Sequence, residues 1–273
     1  MNFVHLESIW NLGALLFYGY SVFSIFRNIA SPNPDSESLL IRIILLGAGF
    51  HLLSLSGMWS SGTFMAMGLG PALSLVAWIV VVLFLLALLR HKVLSLGLIV
   101  QPFAIAALII AWLLISPAPA STFISNSAML HMLVALIAYS LLGLAFAMAV
   151  LLLVQEWQLQ NKRAGNFFHS LPAMQSLEHL LFQIIGLGFM LLTVALLSGG
   201  VFSSEIFGSA LKFNHHIVLS ILGWLAFGGL LLGRKLVGLR GRVAAIWTIA
   251  SFVLLMLAYF GTKLVLEVFL QRV

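Results

Sequence analysis

Residues 176–200 read SLEHLLFQIIGLGFMLLTVALLSGG, residues 201–213 read VFSSEIFGSALKF, and residues 214–224 read NHHIVLSILGW. Beyond Glu178 and His179 the first segment carries no charge as far as Gly200. That is long enough to cross a bilayer core, which takes roughly 20 apolar residues as a helix. Ser198-Gly199-Gly200 closes the run, a mixed loop follows, and the next apolar run opens on the adjacent histidines His215 and His216.

Seven more runs of this kind extend outward from it, giving eight at about 9–26, 39–57, 69–89, 93–115, 130–154, 177–198, 215–233 and 244–266. The whole sequence of 273 residues is 62% hydrophobic and 7% charged. A soluble domain carries about 25% charged residues, so this supply cannot clothe a water-exposed surface. The expected fold is an all-α integral membrane protein with eight transmembrane helices. Long continuous runs exclude a transmembrane β-barrel, whose strands are short and alternating. No internal repeat, heptad pattern or second soluble segment interrupts them, so one polytopic membrane domain over 1–273 is expected.

The formal balance of 13 basic and 7 acidic residues is +6. It is no sign of nucleic-acid binding, because basic residues gather in cytoplasmic loops for insertion reasons; the expected partners are the lipid bilayer and a membrane protein. Arg27, Arg42, Arg90, Lys92, Lys162, Arg163, Arg234, Lys235, Arg240 and Arg242 fall on one side of the eight spans. Lys212, Lys263 and Arg272 fall on the other. This asymmetry expects both termini outside (N-out/C-out). The N-terminal MNFVHLESIW has no basic segment before its apolar run and reads as an uncleaved first span. With no cysteine in the chain, disulfides, thiolate metal sites and thioether attachment of haem to it are excluded.

Pro102 inside the fourth span predicts a kink. The polar connection 155–175 is expected to form a short surface helix. Gly186, Gly188 and the set Gly223, Gly228, Gly229 and Gly233 permit close helix contact. Met58, Met65 and Met67 suit a soft metal or, in a generally apolar loop, an interfacial cover. No phosphate loop, carboxylate dyad, HExxH or serine-nucleophile motif occurs, so the chain is not expected to be an enzyme.

The eight histidines are the most chemically capable groups available. On the expected topology His5, His131, His215 and His216 stand at the outer surface, and His51 lies about two-thirds of the way out along the second span at about 1.5 Å per residue. His91, His169 and His179 lie toward the other side, where His179 is expected to hydrogen-bond at its helix end. Two imidazoles from different helices can hold a b-type haem with no covalent link. His131 at the start of the fifth span, with His215 or His216 at the start of the seventh, meets the depth requirement. Capping of helix ends in the interface accounts for the same positions. An ionisable residue within a span faces the bundle interior or a functional path, so His51 is either a ligand or a cavity residue, or belongs with its neighbours Ser54 and Ser56 to hydrogen bonding within the bundle.

The second half of the chain resembles the cytochrome c assembly family of membrane haem handlers (CcsA/CcmC type). The resemblance rests on Leu130-His131-Met132 through Tyr139, Leu177-Glu178-His179, Ile185-Gly186-Leu187-Gly188-Phe189 with Leu192-Thr193, Leu197-Ser198-Gly199-Gly200-Val201, Trp224, Arg240-Gly241-Arg242 and Tyr259-Phe260-Gly261. It covers about 64–265, is best from 130 onward, and extends to the eight-span YpjD-like branch of bacterial inner-membrane proteins, to which the chain is similar. It implies haem held near the outer face, with His131 on the first axial position. Typical members carry a W-x-W-D-P-K-E-T-W platform where this chain has Leu211-Lys212-Phe213-Asn214-His215-His216-Ile217-Val218-Leu219. They carry a late histidine in the seventh span where this chain has Gly233 or Arg234, and another after the last span, where 263–273 has none. The resemblance thus implies a haem, expected to be haem b, with His131 as one iron ligand; where the platform is lost, His216 or His215 is expected to supply the other, and His51, from its place within a span, is a further cofactor-binding candidate. The alternative is a non-haem membrane partner, or a transporter on the same fold.

Overall fold

The computed structural model describes residues 3–31, 36–60, 68–114, 126–161, 171, 173–201 and 215–265. Eight α-helices make up nearly all of them: α1 (Phe3–Ala30), α2 (Ser36–Ser60), α3 (Leu69–Leu88), α4 (Gly97–Leu113), α5 (Asn126–Gln160), α6 (Met174–Val201), α7 (His215–Val237) and α8 (Gly241–Met256). A 3₁₀ turn at Leu94–Leu96 leads into α4, and a π-helical turn at Leu257–Gly261 continues α8. All eight are long and apolar enough to cross a membrane, and no strand occurs among the described residues. The eight hydrophobic runs are thus eight helices.

One boundary departs from expectation. At 35 residues, α5 is about 52 Å long at 1.5 Å per residue, against a hydrocarbon core of about 30 Å. It continues through Gln160, into the segment that polarity alone assigns to a connection. The reason is local: residues 150–160, VLLLVQEWQLQ, contain no glycine or proline, and Gln160 Nε2 donates to Glu156 Oε1 one turn back at 3.2 Å.

The chain divides into two compact units, Met1–Ala118 with Val154–Leu177, and Pro119–Leu153 with Glu178–Val273. In the first, α1 lies against α2 and α4, α2 against α3, and α3 against α4. Lipid tails are as apolar as leucine, so such contacts need close backbone approach rather than burial from water. A Cβ at Gly70 would sit 2.9 Å from the Ala111 Cα, which marks how tightly α3 meets α4. In the second unit the expectation for Gly188 holds: a Cβ there would lie 2.9 Å from the Leu142 side chain, so α6 meets α5. Gly186 has nothing within 4 Å. Outward-facing side chains are apolar in both units, as at Leu16 (72% exposed) and Leu197 (69%).

The α7–α8 turn is sharp because two glycines supply it. Gly238 (φ +71°) and Gly241 (φ +60°) adopt the left-handed region, where a side chain costs about 1–2 kcal/mol. Leu239 N–H then reaches back to the Gly233 carbonyl at 3.3 Å.

Candidate functional site

In the second unit α5 and α7 begin, and α6 and α8 end, at one edge of the bundle. Four chemically capable side chains of the described residues meet that edge. His131 lies one turn into α5, and its Nδ1 is 2.9 Å from Ser198 Oγ near the end of α6. Ser198 has a single hydroxyl proton, which it donates to the Ala195 carbonyl at 3.1 Å. With that proton on the Ala195 carbonyl, the oxygen accepts from His131 Nδ1, and in this tautomer the imidazole presents a lone pair on Nε2. Helix geometry favours this arrangement, because a serine readily bonds a carbonyl one turn back along its own helix. Gly199 completes it: a Cβ there would stand 3.0 Å from His131 Cε1 and 3.5 Å from Nε2. The small residue leaves room for the ring.

His216, at the start of α7, sits with its ring 6.2 Å from that of Tyr259. Tyr259 belongs to the π turn, lies 6.1 Å from the Tyr139 ring, and has the Lys263 ammonium 5.6 Å from its own centroid. A π turn shifts hydrogen bonding from i→i−4 to i→i−5 and often marks a functional site. Here the Tyr139 hydroxyl donates to the Leu255 carbonyl at 3.1 Å, just before the turn. The π turn thus carries Tyr259 beside His216, and the carbonyl just before it accepts from Tyr139.

Deeper in this unit Trp224 stacks on Phe189 (5.5 Å, 16°) and donates its indole N–H to Thr193 Oγ1 at 2.8 Å. At the opposite edge Arg234 Nη1 donates to Glu178 Oε1 at 2.6 Å, and Gly241 N–H donates to Glu178 Oε2 at 3.2 Å. The guanidinium also lies 3.8 Å over the Phe182 ring. One carboxylate thus ties α6 to the last turn of α7 and caps the first of α8. His179 beside it pairs with Gln183, one turn along, at 3.1 Å, the helix-end hydrogen bond expected of it.

His51 belongs to the first unit and is fully buried. Its ring bridges Tyr18 Oη on α1 (Nδ1, 3.2 Å) and Ser74 Oγ on α3 (Nε2, 2.9 Å). Of its neighbours, Ser54 hydrogen-bonds within the bundle as expected, donating to Asn11 Oδ1 on α1 at 2.5 Å, while Ser56 donates to the Leu53 carbonyl of its own helix at 2.6 Å. Both ring nitrogens of His51 are engaged, whereas His131 Nε2 has no hydrogen-bond partner among the described residues.

The side chains of His5, Met58 and His215, together with Met65, Met67, His169, Lys212 and the rest of the loop 202–214, lie outside the described residues. No group of three or more His, Asp or Glu side chains suited to a metal ion occurs among the described residues. Two imidazoles suffice as the axial ligands of a b-type haem. Sequence reasoning missed Tyr18, Ser74, Ser198 and Tyr259 as partners of the histidines. Isolated hydroxyls inside apolar runs were the available signal. Nothing in the sequence announced the π turn.

These features define a polytopic helical membrane protein that gathers imidazole and aromatic groups at one edge of a four-helix unit. The model of the cytochrome c assembly protein family matches residues 51–270, and the chain belongs to that family. Inner membrane protein YpjD of Escherichia coli is 33% identical over 137 residues, half of each chain. Cytochrome c biogenesis protein CcsA of Chlamydomonas reinhardtii is 31% identical over 145 residues, 52% of this chain and 39% of its own. Protein HemX of Bacillus subtilis is 24% identical over 258 residues, 92% of each. The chain spans about half the length of the curated relatives that it matches at 33% identity.

Proposed function

We propose that this chain is a non-enzymatic haem-handling protein of a bacterial inner membrane, acting in cytochrome c biogenesis, and that it holds haem b between His131 and the His215/His216 pair. The reading is supported by family membership and by the relatives' names, one a cytochrome c biogenesis protein and another an inner membrane protein. The observation that carries it is the Ser198–His131 bond, which leaves Nε2 of a half-buried imidazole free to bind iron. A haem-ligating histidine is commonly held through its other ring nitrogen in this way. Gly199 lets that ring lie close against α6, and His131 and His216 stand on two different helices, as the two imidazoles of a b-type haem do.

Each residue has a distinct part. His131 offers Nε2, Ser198 fixes tautomer and ring plane, and His216 or His215 offers the second imidazole from another helix. Tyr259 steadies His216 by ring contact. Bound haem would supply iron-centred one-electron chemistry. His51, bonded at both nitrogens, ties α1, α2 and α3 together instead of binding iron.

The test is the absorption spectrum of protein purified in mild detergent, oxidised and reduced. The expected result is a Soret band that His131→Ala abolishes and the double change His215→Ala/His216→Ala also abolishes. Haem content unchanged in the double variant would remove the paired histidines from the reading. No chromophore in the unaltered protein would leave the non-haem membrane partner as the better account.

A further inference from the structure

The α7–α8 turn is the most strongly charged surface among the described residues of the second unit, and the haem reading gives it nothing to do. Arg234, Lys235, Arg240 and Arg242 fall within nine residues. Arg234 is neutralised by Glu178, whose other oxygen takes the Gly241 N–H. That leaves Lys235, Arg240 and Arg242, all exposed and none with an acidic partner among the described residues. Glu178 is the single acidic residue described in this unit, so among the described residues of the unit these three positive charges have no acidic counterpart. The turn is also fixed in shape: Gly238 and Gly241 hold positive φ, and Arg240 between them is fully extended (φ −156°, ψ 174°).

The surface beneath these charges is apolar and open. Leu236 is 78% exposed on α7, and Val243 and Ile246 are 53% and 48% exposed on α8. Trp247 lies across the seam between the two helices, with its indole N–H bonded to the Ala226 carbonyl at 2.9 Å. A Cβ at Gly229 would lie 3.5 Å from that ring, so the glycine keeps the seam shallow. Three cations at the mouth of an apolar seam match an anionic headgroup carrying acyl chains. An acidic soluble protein would satisfy the charges and leave the adjoining leucine and valine uncovered.

We propose that this seam is a binding site for an anionic phospholipid, with Lys235, Arg240 and Arg242 on the headgroup phosphate and the acyl chains along the α7/α8 seam over Trp247. Basic residues at a membrane surface each contribute roughly fivefold to the binding of anionic lipid, so three amount to about a hundredfold. The attraction is electrostatic, and it weakens as salt rises.

The test measures lipid binding by native mass spectrometry on full-length protein, delipidated and then titrated with phosphatidylglycerol, phosphatidylethanolamine or inorganic phosphate. The expected result is preferential retention of one phosphatidylglycerol, and weakening of that binding by about a hundredfold in Lys235→Gln/Arg240→Gln/Arg242→Gln. A charge-keeping variant, Lys235→Arg/Arg240→Lys/Arg242→Lys, should bind like the unaltered protein and shows that loss does not come from misfolding. Inorganic phosphate alone should bind far more weakly, since it lacks the chains. Equal retention of phosphatidylethanolamine, unchanged binding by the neutralised variant, or phosphate binding as tight as the lipid's would each overturn the proposal. So would an acidic protein co-purifying on these residues and excluding the lipid.

Discussion

Ser198 shows how one hydroxyl can fix the chemistry of a neighbouring ring. Its oxygen lies 2.9 Å from His131 Nδ1 and 3.1 Å from the Ala195 carbonyl, so a proton directed to Ala195 leaves the oxygen to accept from Nδ1. Replacing it with alanine frees the imidazole to rotate and to change tautomer. Loss of such an outer partner lowers metal affinity by about 10–100-fold, and haem titration of the Ser198→Ala variant should show a weakening in that range. The adjacent glycines give a sharper comparison. Gly199→Ala places a methyl 3.0 Å from His131 Cε1, whereas Gly200 has nothing within 4 Å. Haem retention should therefore fall in Gly199→Ala and persist in Gly200→Ala; equal behaviour of the two would dissociate the ring from the binding. His51 calls for a different measurement. His51→Leu strips the partners from Tyr18 Oη and Ser74 Oγ. Interhelical hydrogen bonds in membranes average about 0.6 kcal/mol, and an orphaned hydroxyl costs about 1–3 kcal/mol. Unfolding in detergent should show a destabilisation of roughly 1–3 kcal/mol, with Tyr18→Phe adding little in the His51→Leu background. The sequence made these histidines visible, since an imidazole in an apolar run stands out. It hid their partners, because Tyr18 is 33 residues from His51 and Ser198 is 67 from His131.

Among the elements, the helices were legible and their joints were not. Uninterrupted apolar runs leave a chain in lipid no option but to satisfy its backbone within each segment, so eight runs become eight helices. The joint between α6, α7 and α8 depends instead on Glu178, which bonds Arg234 and caps α8 from 56 and 63 residues away. Its position in the Leu177-Glu178-His179 block was plain, while its two partners were not. Hydrogen bonds to charged groups contribute about 1.5–3 kcal/mol, so Glu178→Ala should destabilise by that order in thermal unfolding. Glu178→Gln, which can still accept from Gly241, should cost less. Similar losses in both variants would show that the cap contributes nothing. The π turn is the other hidden joint. Periodicity counts side chains and does not register one extra residue closing an i→i−5 ring, so the sequence read 244–266 as one regular span. That turn holds Tyr259 beside His216, and the Leu255 carbonyl just before it accepts from Tyr139.

For the whole molecule the open quantity is sidedness, and the absence of cysteine makes it directly measurable by introducing one thiol at a time. The turn between α3 and α4 carries Arg90 and Lys92, and that between α7 and α8 carries Arg240 with Arg234, Lys235 and Arg242 at its margins. The positive-inside bias expects loops so basic and so short on the cytoplasmic side. A thiol-reactive probe that cannot cross membranes should therefore label His91→Cys and Leu239→Cys only after cells are opened. It should label Leu130→Cys, at the other edge of the second unit beside His131, in intact cells. Leu130 suits the purpose because it is 63% exposed and neighbours the proposed ligand without being one. The consequence reaches the chemistry: sidedness decides whether the Nε2 of His131 faces the compartment where cytochromes c receive haem, or the one where haem is made. Labelling of Leu130→Cys only in opened cells, with His91→Cys reactive in intact ones, would reverse the placement of the basic turns and leave an assembly role with its histidines on the wrong side.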